Sequence, residues 1–152
     1  MAWSDFWMKT ETLRLERVFR ALPERVFEVF TTPELVRQWH CGTVGEVIME
    51  LRPGGRFRIC FTPDENLPDG HCVRGTYQEV TIPSRLVYTW KWDGDEEESL
   101  VTVEFRSTVK GCLLKIEHSR LVSQASRDGH SQGWHDCLAG LDQLLQLPKW
   151  SR

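Results

Sequence analysis

The sequence predicts an α+β domain, a curved antiparallel sheet of about six or seven strands lying against one long C-terminal helix. Two observations carry this. From Asp128 to Leu147 the apolar residues Trp134, Cys137, Leu138, Leu141, Leu144 and Leu145 recur at i, i+3, i+4, i+7, i+10 and i+11, a single helical stripe. Asp136, Asp142, Gln143 and Gln146 lie off it, and Pro148 cannot continue the hydrogen-bond ladder. Nearly everything between Thr43 and His118 reads instead at period two. A twenty-residue helix is about 30 Å long, and six strands at about 4.8 Å spacing make a sheet of similar width. One helix therefore crosses the whole sheet.

In chain order, residues 1–11 are an N-terminal segment in which Trp3, Phe6 and Trp7 carry more aromatic surface than a tail usually holds. They cover a sheet edge, a partner subunit or the domain itself. The domain proper is residues 12–147, with 148–152 as a tail. A first strand, Thr12 to Arg20, alternates Leu13, Leu15 and Phe19 against charged neighbours. Pro23 opens a short helix with Glu24 in its first turn and Val26, Phe27 and Phe30 on one face. It ends near Thr32, because a residue before proline is biased away from helical geometry, and Pro33 starts a second short helix with Leu35 and Trp39 at i and i+4. Strands follow at Thr43 to Leu51, Arg56 to Thr62, His71 to Val80, Arg85 to Trp92, Leu100 to Ser107 and Cys112 to His118. Arg52-Pro53-Gly54-Gly55, the loop Asp64 to Gly70, Ile82-Pro83-Ser84, the acidic loop Asp93 to Glu98 and Val109-Lys110-Gly111 link them.

Strand alternation assigns an inner face. Leu86, Tyr88, Trp90 and Trp92 share one side of their strand; Val101, Val103 and Phe105, then Cys112, Leu114, Ile116 and His118, and Phe57, Ile59 and Phe61 do the same on theirs. That face is rich in flat rings, which suit an apolar pocket with a few polar tips as well as they suit a core.

Composition excludes several classes. The 152 residues, 40% hydrophobic, suit one domain with one core. A net charge of −3 offers no basic field for phosphates, so no nucleic-acid partner is expected. No run approaches the ~20 apolar residues of a membrane span, and the N-terminus lacks a leader pattern, so the chain reads as cytoplasmic. Five cysteines without a CxxC argue against a disulfide framework and for reduced, mostly buried thiols.

The runs RVFRALPERVFEVFTTPELVRQWH, ELRPGGRFR, RGTYQEVTIPSRLVYTWKW, LVTVEFRS and GHSQGWHDCLAGLDQLL, in this order and spacing, resemble the START-like (SRPBCC) superfamily. Within it they are similar to the family named after activators of the ATPase of the ninety-kilodalton heat-shock chaperone. Residues 12 to 147 carry the similarity. The resemblance implies a helix-grip fold with a cavity between sheet and C-terminal helix, and a homodimer. One departure is Glu50 ahead of Leu51-Arg52-Pro53, where Asp is common; the carboxylate is kept. Relatives of this fold bind lipids, sterols, hormones or polyketides, and some cyclise polyketides.

The candidate site follows from the inner face. Tyr88, Trp90, Trp92 and Phe105 supply flat walls, Trp134 and Leu138 the helix wall, and Trp39, Phe57 and Phe61 the opposite rim, with His118 and Tyr88 as polar groups. His118 is also the one weak catalytic candidate, as an acid or base, although a histidine held by a backbone carbonyl reads as well. His130 lies near the helix start, at a mouth or cap position. His40-Cys41, His71-Cys72 and His135-Asp136-Cys137 make no two-ligand arm, since neighbours on a strand face opposite ways and i, i+2 pairs on a helix do not share a face. No metal or cofactor is expected, and no motif marks a Cys-His nucleophile pair. Gly133 and Gly140, each costing about 1 kcal/mol against Ala in a helix, point to close approach of a strand or ligand. The function expected is binding of an apolar or amphipathic small molecule without catalysis; the alternatives are a chaperone-interaction module and a cyclase, aromatase or hydrolase using His118.

Overall fold

The computed structural model describes residues 10–40, 42–63, 65 and 70–148. Strand β1 (Glu11–Phe19) leads into helices α1 (Pro23–Thr31) and α2 (Pro33–Trp39). Strands β2 (Val44–Met49), β3 (Arg56–Phe61), β4 (His71–Thr81), β5 (Arg85–Trp92), β6 (Ser99–Thr108) and β7 (Gly111–Leu121) precede the long helix α3 (Gln124–Gln146). From β2 to β7 each strand pairs antiparallel with the next, and β1 joins β7, giving the order β1-β7-β6-β5-β4-β3-β2. This is the helix-grip arrangement, with the two short helices inserted before β2. Trp3, Phe6, Trp7 and Cys41 lie outside the described residues.

The apolar stripe of α3 is buried at Trp134, Cys137, Leu138, Leu141 and Leu144. The helix starts about one turn earlier than its apolar period indicates, because polar contacts hold that turn. The Ser123 hydroxyl accepts from the Ser126 N–H at 3.1 Å. Glu97, from the acidic loop, accepts the Val122 N–H at 2.7 Å and the Ser126 hydroxyl at 2.9 Å. A carboxylate thus sits at the positive end of the helix dipole and fixes where the first turns of α3 run. Strand β7 likewise continues three residues beyond His118.

Helix α1 drives Val26, Phe27, Val29 and Phe30 into the core, where Phe27 and Phe30 meet the Phe105 ring edge-on at 5.1 and 5.5 Å. Helix α2 adds Val36 and Trp39, whose indole N–H donates to the Val29 carbonyl at 2.9 Å. The two helices therefore fill part of the space over the sheet.

The expectation of reduced thiols needs correction at two positions. Cys60 and Cys72 are register partners of β3 and β4 with Cα atoms 4.0 Å apart, and they form a disulfide. Their separation of 12 residues carries no motif, because the hairpin pairing that brings them face to face is set by the strands around it. Cys112 remains a buried thiol, its pKa pushed up to about 11 by that burial.

Candidate functional site

A cavity of about 470 Å³ lies between the first half of α3 and the ends of β2, β3, β4 and β5. Phe61, His71, Trp90 and Trp92 form its sheet wall; Ser126, Gly129, His130, Gly133, Trp134 and Cys137 form its helix wall. His40, Gly42, Thr43 and Thr62 complete the rim. None of these is Lys, Arg, Asp or Glu. The rings make a continuous surface: His71 packs on Phe61 at 5.1 Å and on Trp92 at 4.6 Å, Trp92 on Trp90 at 5.7 Å, and Trp90 on Trp134 at 5.9 Å.

Of the ten residues proposed from the sequence, Phe61, Trp90, Trp92 and Trp134 line this cavity. Trp39, Phe57 and Tyr88 meet deeper, around a void of about 10 Å³, where α2 covers the sheet. Phe105 is taken up by Phe27 and Phe30, and Leu138 is buried in the core. Strand parity assigns a side chain to the inner face but not to the part of that face that α1 and α2 cover.

His118 stands behind the cavity wall, fully buried, and its protonation follows from its neighbours. The Trp134 indole N–H can only donate, and it does so to His118 Nδ1 at 3.0 Å. Nδ1 is therefore bare and Nε2 carries the proton, which it donates to Ser99 Oγ at 2.7 Å; Ser99 in turn donates to the Trp90 carbonyl at 3.2 Å. Burial, with a smaller contribution from His130, holds the His118 pKa down to about 3. This chain of hydrogen bonds ties sheet and helix together through a neutral imidazole.

His130 packs edge-to-face on His118 with ring centroids 4.5 Å apart. Its Nδ1 lies 2.8 Å from the Ser126 carbonyl, which can only accept, so Nδ1 carries a proton and the neutral ring leaves Nε2 as a bare acceptor. That Nε2 is buried without a partner, as are Trp90 Nε1 and His71 Nδ1. All three belong to cavity-lining residues. A fourth such atom, Arg25 Nη2, is on α1. At the cavity rim, Cys137 Sγ lies 3.6 Å from His40 Nδ1, so the fold does assemble a Cys-His contact that no local motif marks. Among the described residues, no group of three or more His, Cys, Asp or Glu is placed to hold a metal ion. None of their helices is long and apolar enough to cross a membrane.

Residues 20–146 match the family model described as activator of Hsp90 ATPase homolog 1-like protein. The chain belongs to that family. It lies within the START-like superfamily, and the solved structures it resembles share its fold. A protein of Chromobacterium violaceum is 26% identical over 90% of this chain and 99% of its own, with a TM-score of 0.79. One from Mesorhizobium loti is 26% identical over 89% and 96%, at 0.72. The AHSA1 protein of Silicibacter pomeroyi is 24% identical over 89% and 97%, at 0.78. No curated protein matches the chain.

In this family member, the sequence places His130 at a mouth or cap and Gly133 beside a strand or ligand, whereas Ser126, Gly129, His40 and His71 escape sequence reasoning for identifiable causes. Ser126, Gly129, His130, Gly133 and Cys137 fall at i, i+3, i+4, i+7 and i+11, a stripe of small and polar residues beside the apolar one. That signal was available. His40 and His71 stand at the ends of α2 and of the β3–β4 loop, where no periodicity applies. Of the two neighbours expected at Gly133, a strand or a ligand, no strand approaches, since a Cβ there would meet nothing within 4 Å, and the residue lines the cavity. At Gly140 the close approach is real, but it comes from α2, with the Trp39 carbonyl oxygen 2.4 Å from a Cβ.

Proposed function

We propose that the protein holds one apolar or amphipathic small molecule in this cavity and does not convert it. The observation that carries this reading is a cavity of about 470 Å³ walled by rings and glycines and lined by no charged side chain. Small-molecule sites of roughly 300–1,000 Å³ are built this way, from apolar walls and a few placed polar groups. The state of His118 supports binding over catalysis. A general base needs a lone pair free to take a proton, and here that pair is engaged by Trp134.

Native mass spectrometry of protein purified from its own host tests the reading. The expected result is a small molecule bound one to one and released on denaturation, and lost in Gly133→Met, which fills the cavity from the helix side. Protein of sequence mass alone that also takes up no naphthalene in equilibrium dialysis would overturn it. The surface would then be the place to look, and stimulation of the ninety-kilodalton chaperone's ATP turnover the assay.

A further inference from the structure

The Cys60–Cys72 disulfide lies on the reverse side of the strands that wall the cavity. Strands β3 and β4 pair without a break from Arg56↔Thr76 to Phe61↔His71, so their side chains alternate cleanly between the two faces of the sheet. Phe61 and His71 form the last pair; their rings stack at 5.1 Å and line the cavity. Cys60 and Cys72, one residue back, therefore point to the outer face, and neither is buried. Both strands lie inside the sheet, so what each cysteine exposes is its side chain, and a thiol can reach the bond. The next row on that face is Arg58, Arg74 and Lys91, register partners of one another. Glu46 and Asp93 pair with the two arginines, which leaves three cations against two carboxylates. A net positive row beside the sulfurs favours the thiolates that reduction produces. As a staple the bond adds little, because the two strands are already paired along their length and it spans only 12 residues.

We propose that Cys60 and Cys72 are a redox-active pair, the substrate of a dithiol, whose opening loosens the Phe61 side of the cavity wall and weakens the hold on the ligand. The effect on the ligand rests on reading the cavity as a ligand site; the redox chemistry does not. A thiolate of the dithiol attacks one sulfur of the bond, a mixed disulfide forms, and the other cysteine leaves as a thiolate. The second thiolate of the dithiol then displaces the remaining cysteine. Two electrons pass to the protein, two protons follow to give the Cys60 and Cys72 thiols, and the dithiol ends as its own disulfide. The two strands are unequally held once the bond is open. Cys72 stays anchored to β5, its carbonyl accepting the Asp93 N–H at 2.9 Å, and His71 packs on Trp92 at 4.6 Å. Strand β3 has no such support at this point, because its pairing with β2 shifts register between Val44, opposite Phe61, and Val47, opposite Ile59. Cys60 faces that irregularity. The disulfide therefore ties the less regularly paired strand to the anchored one, one residue from the ring that lines the cavity.

Folded protein equilibrated in buffers of graded reduced-to-oxidised dithiothreitol tests both parts, with acid quenching, alkylation and peptide mapping for the thiols and equilibrium dialysis for naphthalene. Cys60 and Cys72 should be labelled together in the folded protein. Naphthalene affinity should then fall by about fivefold or more, the lower end of coupling between linked sites. Because such coupling is reciprocal, saturating naphthalene should raise the reduced-to-oxidised ratio at the midpoint by the same factor. Amide exchange at Phe61 should quicken on reduction while that at the buried Leu141 stays unchanged, which distinguishes a loosened wall from an unfolded protein. The double variant Cys60→Ser with Cys72→Ser should bind naphthalene as the reduced protein does and ignore the dithiol, so that the other cysteines are not the cause. A bond that opens only in denaturant overturns the redox assignment. Opening in the folded protein with naphthalene affinity unchanged or raised, and with exchange at Phe61 unchanged, overturns the coupling to the wall. If naphthalene binds neither form, the cavity reading falls, and labelling with exchange still decides the redox pair.

Discussion

The two halves of α3 use one inward face for opposite ends. From Leu138 onward that face carries Leu138, Leu141 and Leu144, all buried against the rest of the core. From Ser126 to Cys137 it carries Ser126, Gly129, His130 and Gly133 around the single large ring of Trp134, and a cavity lies above them. The two glycines locate the change. A Cβ at Gly140 would lie 2.4 Å from the Trp39 carbonyl oxygen, whereas one at Gly133 would meet nothing within 4 Å. Gly140 is there because another backbone is close; Gly133 is there because space is kept. Period alone says which way a helix faces, and side-chain size says whether it faces core or cavity.

Substitutions in the core half should break the fold and those in the cavity half should not. The largest effect expected is Leu141→Ala, where a fully buried leucine is removed: about 2–5 kcal/mol of stability lost in urea unfolding. A cost under ~1 kcal/mol would mean that this half of the helix is not core. Next comes Gly140→Ala. Alanine is the better helix former by about 1 kcal/mol, yet the clash with the end of α2 should reverse the sign and cost about 1–3 kcal/mol. A more stable Gly140→Ala protein would show that α2 does not approach α3 there.

The seam between the halves is the Trp134 hydrogen bond to His118, and it gives the comparison a pH dependence. The folded pKa is held near 3, while the unfolded chain titrates near the ordinary value of 6.5. Between these values the unfolded state binds a proton that the folded state excludes. The stabilisation from a neutral His118 is thus fully present above pH 6.5 and is lost as pH falls toward 3, by about 1.4 kcal/mol per unit. His118→Asn keeps an acceptor for Trp134 and lacks the titration, so its stability should fall less steeply between pH 6.5 and 4.5. Parallel curves for the two proteins would show that His118 is not held neutral.

Much of this architecture was legible in the sequence, and the rest was hidden for reasons of pairing and depth. Strand alternation located β3, β5, β6 and β7 and their inner residues, because a one-residue slip would have turned every ring to solvent. It could not say that Tyr88 and Phe57 lie under α2 while Trp92, on the same face, looks into the cavity. That depends on how far two short helices reach across the sheet. The Cys60–Cys72 bond and the His40–Cys137 contact join residues whose spacing carries no signal. The start of α3 was hidden because polar side chains, Ser123 and Glu97, hold its first turn.

The smallest effect is also the one that separates the two halves most cleanly. Gly133→Ala places a methyl where nothing stands within 4 Å, in a helix interior where glycine is the more costly residue. It should therefore stabilise the protein by about 0.4–1 kcal/mol, the reverse of Gly140→Ala on the same helix. The same methyl projects from the cavity wall, so naphthalene affinity should fall while the melting temperature rises. Stability and binding moving in opposite directions at a single position is what a site kept open at the expense of the helix requires. If Gly133→Ala instead lowers both, the residue is holding up the fold, and the division of α3 into a core half and a cavity half is wrong.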